Sequence, residues 1–199
     1  MYVRCIKPAF DWLVALGALL LLTPVWLVIA LALVATTGGS PLFRQARIGY
    51  QGRLFYLLKF RSMTNACGPN GMLLPDAERT TPLGYWLRRT SLDELPQLIN
   101  VLMGQMSLVG PRPLLAQYGP ALAGHPRHRL RPGLTGWAQV HGRNALSWNE
   151  KFALDSWYVT HCCWRVDCQI LWLTLPVLLD TSPPAQPLSS GDNPQTHIP

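Results

Sequence analysis

From Trp12 to Ala35 the chain runs for 24 residues without a charge. As a straight helix this stretch measures roughly 36 Å, enough to cover a bilayer core of about 30 Å. It is too long for a signal peptide, and no convincing small-residue cleavage site follows it. The cluster Thr36-Thr37-Gly38-Gly39-Ser40-Pro41 ends the run. Two apolar-rich segments, Leu42 to Ile48 and Leu54 to Phe60, flank Gly49-Tyr50-Gln51-Gly52 and predict a β-hairpin. Residues 65–78 are polar with Gly and Pro, and predict a mobile loop. Residues 81–90 predict a short helix with Leu83, Trp86 and Leu87 on its apolar side. Leu92, Leu95, Ile99, Leu102 and Met106 recur at helical spacing and predict one buried face. A Pro-Arg-Pro turn at 111–113 follows, and "RPGLTGWAQVHGRN" (131–144) predicts a loop of tight turns. "SWNEKFALDSWYVTH" predicts a helix. "RVDCQILWLTLPVLL" predicts a second one ending near Pro176, too short to span a membrane but suited, with Trp157, Tyr158, Trp164 and Trp172, to headgroup depth. Residues 181–199, rich in Pro and Ser, predict a disordered tail.

Two features bear on how the apolar run meets a membrane. Pro24 in its middle removes a backbone donor, and the Thr23 hydroxyl beside it can satisfy a freed carbonyl. Arg4 and Lys7 precede the run, while Arg44, Arg47, Arg53, Lys59 and Arg61 follow it. Lys and Arg favour the cytoplasmic side, so basic flanks at both ends favour a bent, re-entrant helix over one that crosses. A spanning helix with a mild kink at Pro24 is the alternative.

Composition sharpens this picture. The 199 residues carry a formal net charge of +7, with 49% hydrophobic and only 14% charged residues and eight tryptophans. One domain, or one domain plus an appendage, is expected, with an anionic partner. The basic residues are dispersed among apolar ones, which argues against a nucleic-acid surface. The five cysteines form no even framework and no C-x-x-C pair, and read as reduced thiols rather than metal ligands.

The chemistry concentrates in "RRTSLDELPQLINVL" (88–102), where Asp93 and Glu94 stand side by side in a chain with ten acids. Ser91 to Glu94 has the form of a capping box, which alone would account for the pair. Pro96 disturbs that reading, because with Ser91 as cap it falls where a helical N–H is needed. With Asp93 as cap it loses nothing, and Asp93 then lies where a phosphate would bind a helix start. Lys59, Arg61, Arg88, Arg112 and Arg143 supply basic side chains around the pair, Arg112 being held between Pro111 and Pro113. Such a set suits a Mg²⁺-bridged diphosphate, and a carboxylate can also attack phosphorus. No Walker loop is present, which excludes a P-loop nucleotidase. A non-catalytic membrane scaffold is the rival reading.

"KFRSM", "LRRTSLDELPQLINVLMGQMSLVGPRPL", "RPGLTGWAQVHGRN" and "KFALDSWYV" occur in this order. Together they resemble the bacterial sugar transferase family, the monotopic phosphoglycosyl transferases, over about residues 4–178. The resemblance implies an α+β, mainly helical fold. It has a re-entrant membrane helix (1–36) broken at Thr23-Pro24, and a cytoplasmic catalytic domain (37–180) with a small β-hairpin and interfacial amphipathic helices. It implies transfer of a sugar-1-phosphate from a UDP-sugar to undecaprenyl phosphate, with Asp93 as nucleophile and Mg²⁺ ligand, Glu94 as its dyad partner, and Pro111, Arg112 and Pro113 lining the diphosphate site. The implied location is the cytoplasmic face of a bacterial inner membrane, and a homodimer is compatible with it. Gln105 stands where the family usually has an acid, Thr23 replaces a serine, and the minimal form, without the extra multi-span region of larger relatives, is the expectation. The loop 65–78 and residues 127–131 are the expected selectors of the sugar, whose identity stays open among glucose, galactose and N-acetylated sugars.

Overall fold

The computed structural model describes residues 1–120, 122–142 and 145–179. Arg143 and the expected tail (181–199) lie outside the described residues. After a short π-helical turn (Tyr2–Ile6), helix α1 spans Lys7–Thr37. Pro8 starts it where a missing N–H costs nothing, and Gly38 ends it in the left-handed conformation with its N–H on Val34 O. The chain stays helical through Pro24, and Thr23 Oγ1 donates to Leu19 O at 2.7 Å, bonding back into the turn that the proline disturbs. Leu20, Leu21, Val28 and Leu31 are two-thirds exposed or more. So wide an apolar belt on one helix is what a hydrocarbon environment covers.

The opposite stripe of α1 is buried, and at both ends it rests on the same domain. Near its start, Ala15 joins the main core with Leu98, Val101, Leu108, Val109, Tyr158 and Ile170. Near its end, Ile29, Ala30 and Leu33 pack on Phe60 and Leu87. The start is also tied by polar bonds. Lys7 Nζ donates to Asp167 Oδ2 at 2.6 Å, Tyr2 and Tyr158 donate to the same carboxylate, and Ser107 Oγ donates to Asp11 Oδ2 at 2.6 Å.

Strands β1 (Leu42–Ile48) and β2 (Leu54–Phe60) form the expected antiparallel hairpin, in register from Leu42↔Phe60 to Ile48↔Leu54. Its turn needs left-handed backbone at Gln51 and Gly52 (φ 54° and 76°). Because side chains alternate along a strand, buried Phe55 and Leu57 share a face with Lys59, which carries that lysine off the core's edge toward the site. Residues 65–78 are more ordered than the composition predicts. A small turn is closed by Gly68 N–H on Met72 O and Leu74 N–H on Ala66 O, and helix α2 (Asp76–Arg79) begins within it.

Helix α3 (Pro82–Arg89) is capped by Thr81, and a 3₁₀ turn (Leu92–Glu94) leads to helix α4 (Gln97–Leu102). In α4 the deepest apolar residues are Leu98 and Val101, so the buried face is rotated from the one that the spacing marks. Pro96 explains this, since a 3₁₀ turn before it changes the phase of the periodicity. Strand β3 (Ser107–Val109) pairs in parallel with β4 (Gly133–Thr135), a contact within the stretch read as a loop. The pairing depends on glycine, because a Cβ on Gly133 would lie 2.0 Å from Gly110 N and one on Gly136 2.1 Å from Gly110 O. Helix α5 (Trp137–Val140) follows, then α6 (Trp148–His161) with a complete Ser147/Glu150 capping box, and α7 (Trp164–Leu179), which contains Pro176 rather than ending at it. Trp157, Trp164 and Trp172 are exposed on the last two helices.

Replacing Lys7 by Met strands the buried Asp167 carboxylate without its cation. Losing one member of a buried pair costs about 3–5 kcal/mol. Denaturant unfolding in detergent micelles should show that loss, and a midpoint equal to wild type would contradict the role given to this pair.

Candidate active site

Ser91 determines how the two acids are presented. Its φ of 56° is left-handed and its side chain makes no cap bond, so the capping box is not formed. Such backbone costs a non-glycine residue roughly 1–3 kcal/mol. The next bonds are of 3₁₀ type, Glu94 N–H to Ser91 O and Leu95 N–H to Leu92 O. Leu95 thereby takes the Leu92 carbonyl, which Pro96 could not have served in an α-helix. Asp93 is therefore not a helix cap. It sits in the 3₁₀ turn, three residues before Pro96, and is 7% exposed rather than aimed outward. With α4 only six residues long, a helix-end dipole is not the basis of the site, and the side-chain cations are.

Lys59 reaches both acids, with Nζ 2.6 Å from Glu94 Oε1 and 3.6 Å from Asp93 Oδ2. Arg112 Nη2 lies 3.1 Å from the same Glu94 oxygen, its side chain 55% exposed. Lys59 is brought there by Asn100, a residue that sequence reasoning passed over. Asn100 is 1% exposed, its Nδ2 donates to Tyr56 O at 2.8 Å, and its Oδ1 accepts from Leu58 N–H at 3.0 Å. One buried amide thus stitches α4 to β2 and sets Lys59 beside the acids. Gln105, which stands where an acid is usual, accepts from the same Asn100 amide at 2.7 Å.

The neighbouring acids differ electrostatically. Burial raises the Asp93 carboxyl above its usual range, Lys59 opposes that, and the charge of Glu94 adds to it. Burial also works against Glu94, but Arg112 and Lys59 outweigh it and hold its carboxyl at about 2. In return Glu94 raises Arg112. Glu94 is therefore a fixed anion near neutral pH, and Asp93 is a desolvated carboxylate with less compensation. Two adjacent oxygen donors are what a Mg²⁺ site shared with substrate phosphates needs. Among the described residues no group of three His, Cys, Asp or Glu converges, so water and substrate would complete such a shell.

Other expected residues are less central. Arg88 Nε donates to Ser62 Oγ at 2.8 Å, and its charge lowers Asp93 from a distance. The Arg61 N–H bonds Pro41 O, its Nε is buried without a hydrogen-bond partner, and it is absent from the ion pairs around Asp93 and Glu94. Of residues 127–131, Arg127 is buried against Asp155, while His128 and Arg129 line an open groove of about 460 Å³ beside Tyr50 and Gln51. Arg47, read only as a flanking charge, donates through Nη1 to Pro113 O at 3.0 Å. Burial, then the nearby charge of Arg112, lowers its guanidinium to about 10. Sequence signals for Asn100, Arg127 and Asp155 are weak, because each acts through a distant backbone or partner.

A model of the family described as "Bacterial sugar transferase" matches residues 2–181. The chain is 48% identical over 177 residues to the sugar transferase EpsL of Bacillus subtilis (strain 168), covering 87% of each. It is 39% identical over 195 residues to a UDP-galactose-lipid carrier transferase of Erwinia amylovora, covering 88% of this chain and 41% of that one. It is 41% identical over 186 residues to the UDP-glucose:undecaprenyl-phosphate glucose-1-phosphate transferase of Escherichia coli (strain K12), covering 86% and 40%. The chain thus spans about two fifths of the last two proteins.

The two acids should respond oppositely to neutralisation. A raised carboxyl destabilises the fold at pH above its folded pKa, and that penalty vanishes as pH falls below the unfolded value of about 3.9. Asp93→Asn should therefore raise Tm at pH 7.5, with the gain fading toward pH 4. Glu94→Gln removes the shared partner of Lys59 and Arg112 and should cost roughly 1–2 kcal/mol, discounted for the exposure of Arg112. Thermal melts of both variants across pH test this, and shifts of the same sign at pH 7.5 would refute it.

Proposed function

The chain belongs to the bacterial sugar transferase family, and from that premise we propose that it moves a sugar-1-phosphate from a UDP-sugar to undecaprenyl phosphate, releasing UMP. This would be the first membrane step in building a surface glycan. The observation that carries the reading is the asymmetric pair, a buried Asp93 beside a Glu94 whose one oxygen is held by both Lys59 and Arg112. A scaffold holding anionic lipid would have no use for two carboxylates at the focus of its cations.

In the proposed reaction an Asp93 oxygen attacks the β-phosphorus of the donor. The bond from that phosphorus to the bridging oxygen breaks, and UMP leaves with the electron pair. An oxygen of undecaprenyl phosphate then attacks the same phosphorus, which frees the Asp93 carboxylate and leaves a sugar diphosphate lipid. Lys59 and Arg112 offset the phosphate charge throughout, and the exposed side of Arg112 is open to donor oxygens. With its carboxyl at about 2, Glu94 is a poor proton carrier at neutral pH, so its role is to hold the cations in place. Mg²⁺, held by Asp93 and Glu94 together with the donor phosphates, would supply further charge neutralisation when bound.

The arrangement of α1 supports a matching membrane placement. Both of its ends rest on one domain, so a simple crossing would draw the two flanks of that domain to opposite sides of the bilayer. A helix that enters only one leaflet, with Thr23-Pro24 as the place where it would bend, would keep both ends on the cytoplasmic face of the inner membrane. The exposed Trp157, Trp164 and Trp172 would sit among headgroups. A water-soluble donor and a lipid acceptor then meet at the same depth.

Purified protein given a labelled UDP-sugar and Mg²⁺ without acceptor should gain the mass of a glycosyl phosphate on the peptide containing Asp93. Asp93→Asn should lose both the adduct and UMP release, down to background. An active Asp93→Asn variant would end the covalent scheme.

A further inference from the structure

The Pro-Arg-Pro turn is gripped from two sides. On one, Arg47 of β1 donates to the carbonyl of Pro113. On the other, Arg127 Nη2 donates to the carbonyl of Arg112 itself at 2.6 Å, and the same nitrogen lies 2.9 Å from Asp155 Oδ2 on α6. Arg127 and Asp155 are 4% and 2% exposed, and the Arg127 guanidinium also lies over the Phe152 ring, 5.5 Å from its centroid. The residue that faces Glu94 is thus fixed through its own backbone by a buried ion pair on a different element.

That pair is a poor device for stability. Burial lowers Arg127 and raises Asp155, with each charge only partly offsetting the other's shift. Both members are therefore pushed toward neutrality, the mark of a desolvation cost that the attraction does not cover. Arg127 Nη1 is buried with no hydrogen-bond partner, a further cost. An apolar pair would fill this space at least as well, but it could not donate to the Arg112 carbonyl. Prolines on both sides restrict the turn without saying where it points, and the bond from Arg127 supplies that direction.

We propose that Arg127, locked by Asp155, is a positioning residue for Arg112, holding its guanidinium where the donor diphosphate is bound. This rests on the transferase reading of the site. Arg127 touches no substrate and acts only through the turn, so its effect has to pass through Arg112.

A double-mutant cycle tests this on steady-state UMP release. Arg127→Met should lower kcat/KM about tenfold, as expected within one hydrogen-bond network, with the same division between kcat and KM as Arg112→Ala. In the Arg112→Ala background it should add less than about twofold. Because Arg127→Met leaves Asp155 unpaired and can fail to fold, Arg127→Met/Asp155→Leu is the companion variant. It should melt near wild type yet show the same catalytic loss. Wild-type turnover in the companion, or an undiminished loss in the Arg112→Ala background, would overturn the assignment. So would a companion that does not fold, since the pair would then serve stability. A wild-type chain that releases no UMP would instead sink the transferase reading, and the role of Arg112 with it.

Discussion

The contact between Lys7 and Asp167, 2.6 Å long and shut away from solvent, joins the first turn of the long apolar helix to the last helix of the domain. Tyr158 on α6 donates to the other oxygen of the same carboxylate, and Asp11, one turn along α1, accepts from Ser107 at the start of β3. Three distant parts of the chain are therefore registered against one end of α1. Buried ion pairs contribute little net stability compared with apolar packing, but an arrangement that separates the partners leaves an uncompensated buried charge. On the greasy stripe of α1, where apolar contacts would tolerate sliding, that penalty fixes the register of the helix on the domain. The rest of the domain then lies at a set position relative to the exposed leucines of α1.

The same logic recurs in the site. Asn100 spends its buried amide on two backbone groups of β2 and thereby sets the distance between Lys59 and the acids. The Gly110–Gly133–Gly136 approach brings β3 and β4 together closely enough that the following Pro-Arg-Pro turn emerges next to Glu94. Apolar burial accounts for the compactness of this domain, and a few costly polar bonds account for its precision. Where those bonds sit, the local rules are broken: Ser91 is left-handed, and Arg47 and Arg127 carry buried nitrogens without partners. Departures of this kind concentrate around function.

Two adjacent carboxylates acquire different characters because only one is served by both cations at close range. Glu94 becomes an anchor and Asp93 a carboxylate in deficit, although their covalent surroundings are nearly the same. A difference of a single residue in the chain becomes a division of labour through the directions that a 3₁₀ turn gives to successive side chains.

Read alone, the sequence determined the long apolar helix, the hairpin, the helix beginning near Trp148, and a candidate site of Asp93 and Glu94 amid Lys59, Arg61, Arg88, Arg112 and Arg143, of which the fold brings Lys59 and Arg112 into ion pairs with the acids. These are local patterns: an uncharged run, two apolar-rich segments around a glycine turn, and acids amid bases linked by motif. It misplaced Asp93 as a helix cap and left β3 and β4 unpaired, because a left-handed serine and a parallel pairing across 26 residues leave no periodic trace. Only the tertiary structure decided that both ends of α1 rest on one domain, and that Lys7 answers Asp167, Asn100 holds β2 and Arg127 grips the carbonyl of Arg112. Each of those joins a side chain to a partner far along the chain. Their energies depend on burial and on angstrom-scale distance, and neither quantity exists until the chain has folded.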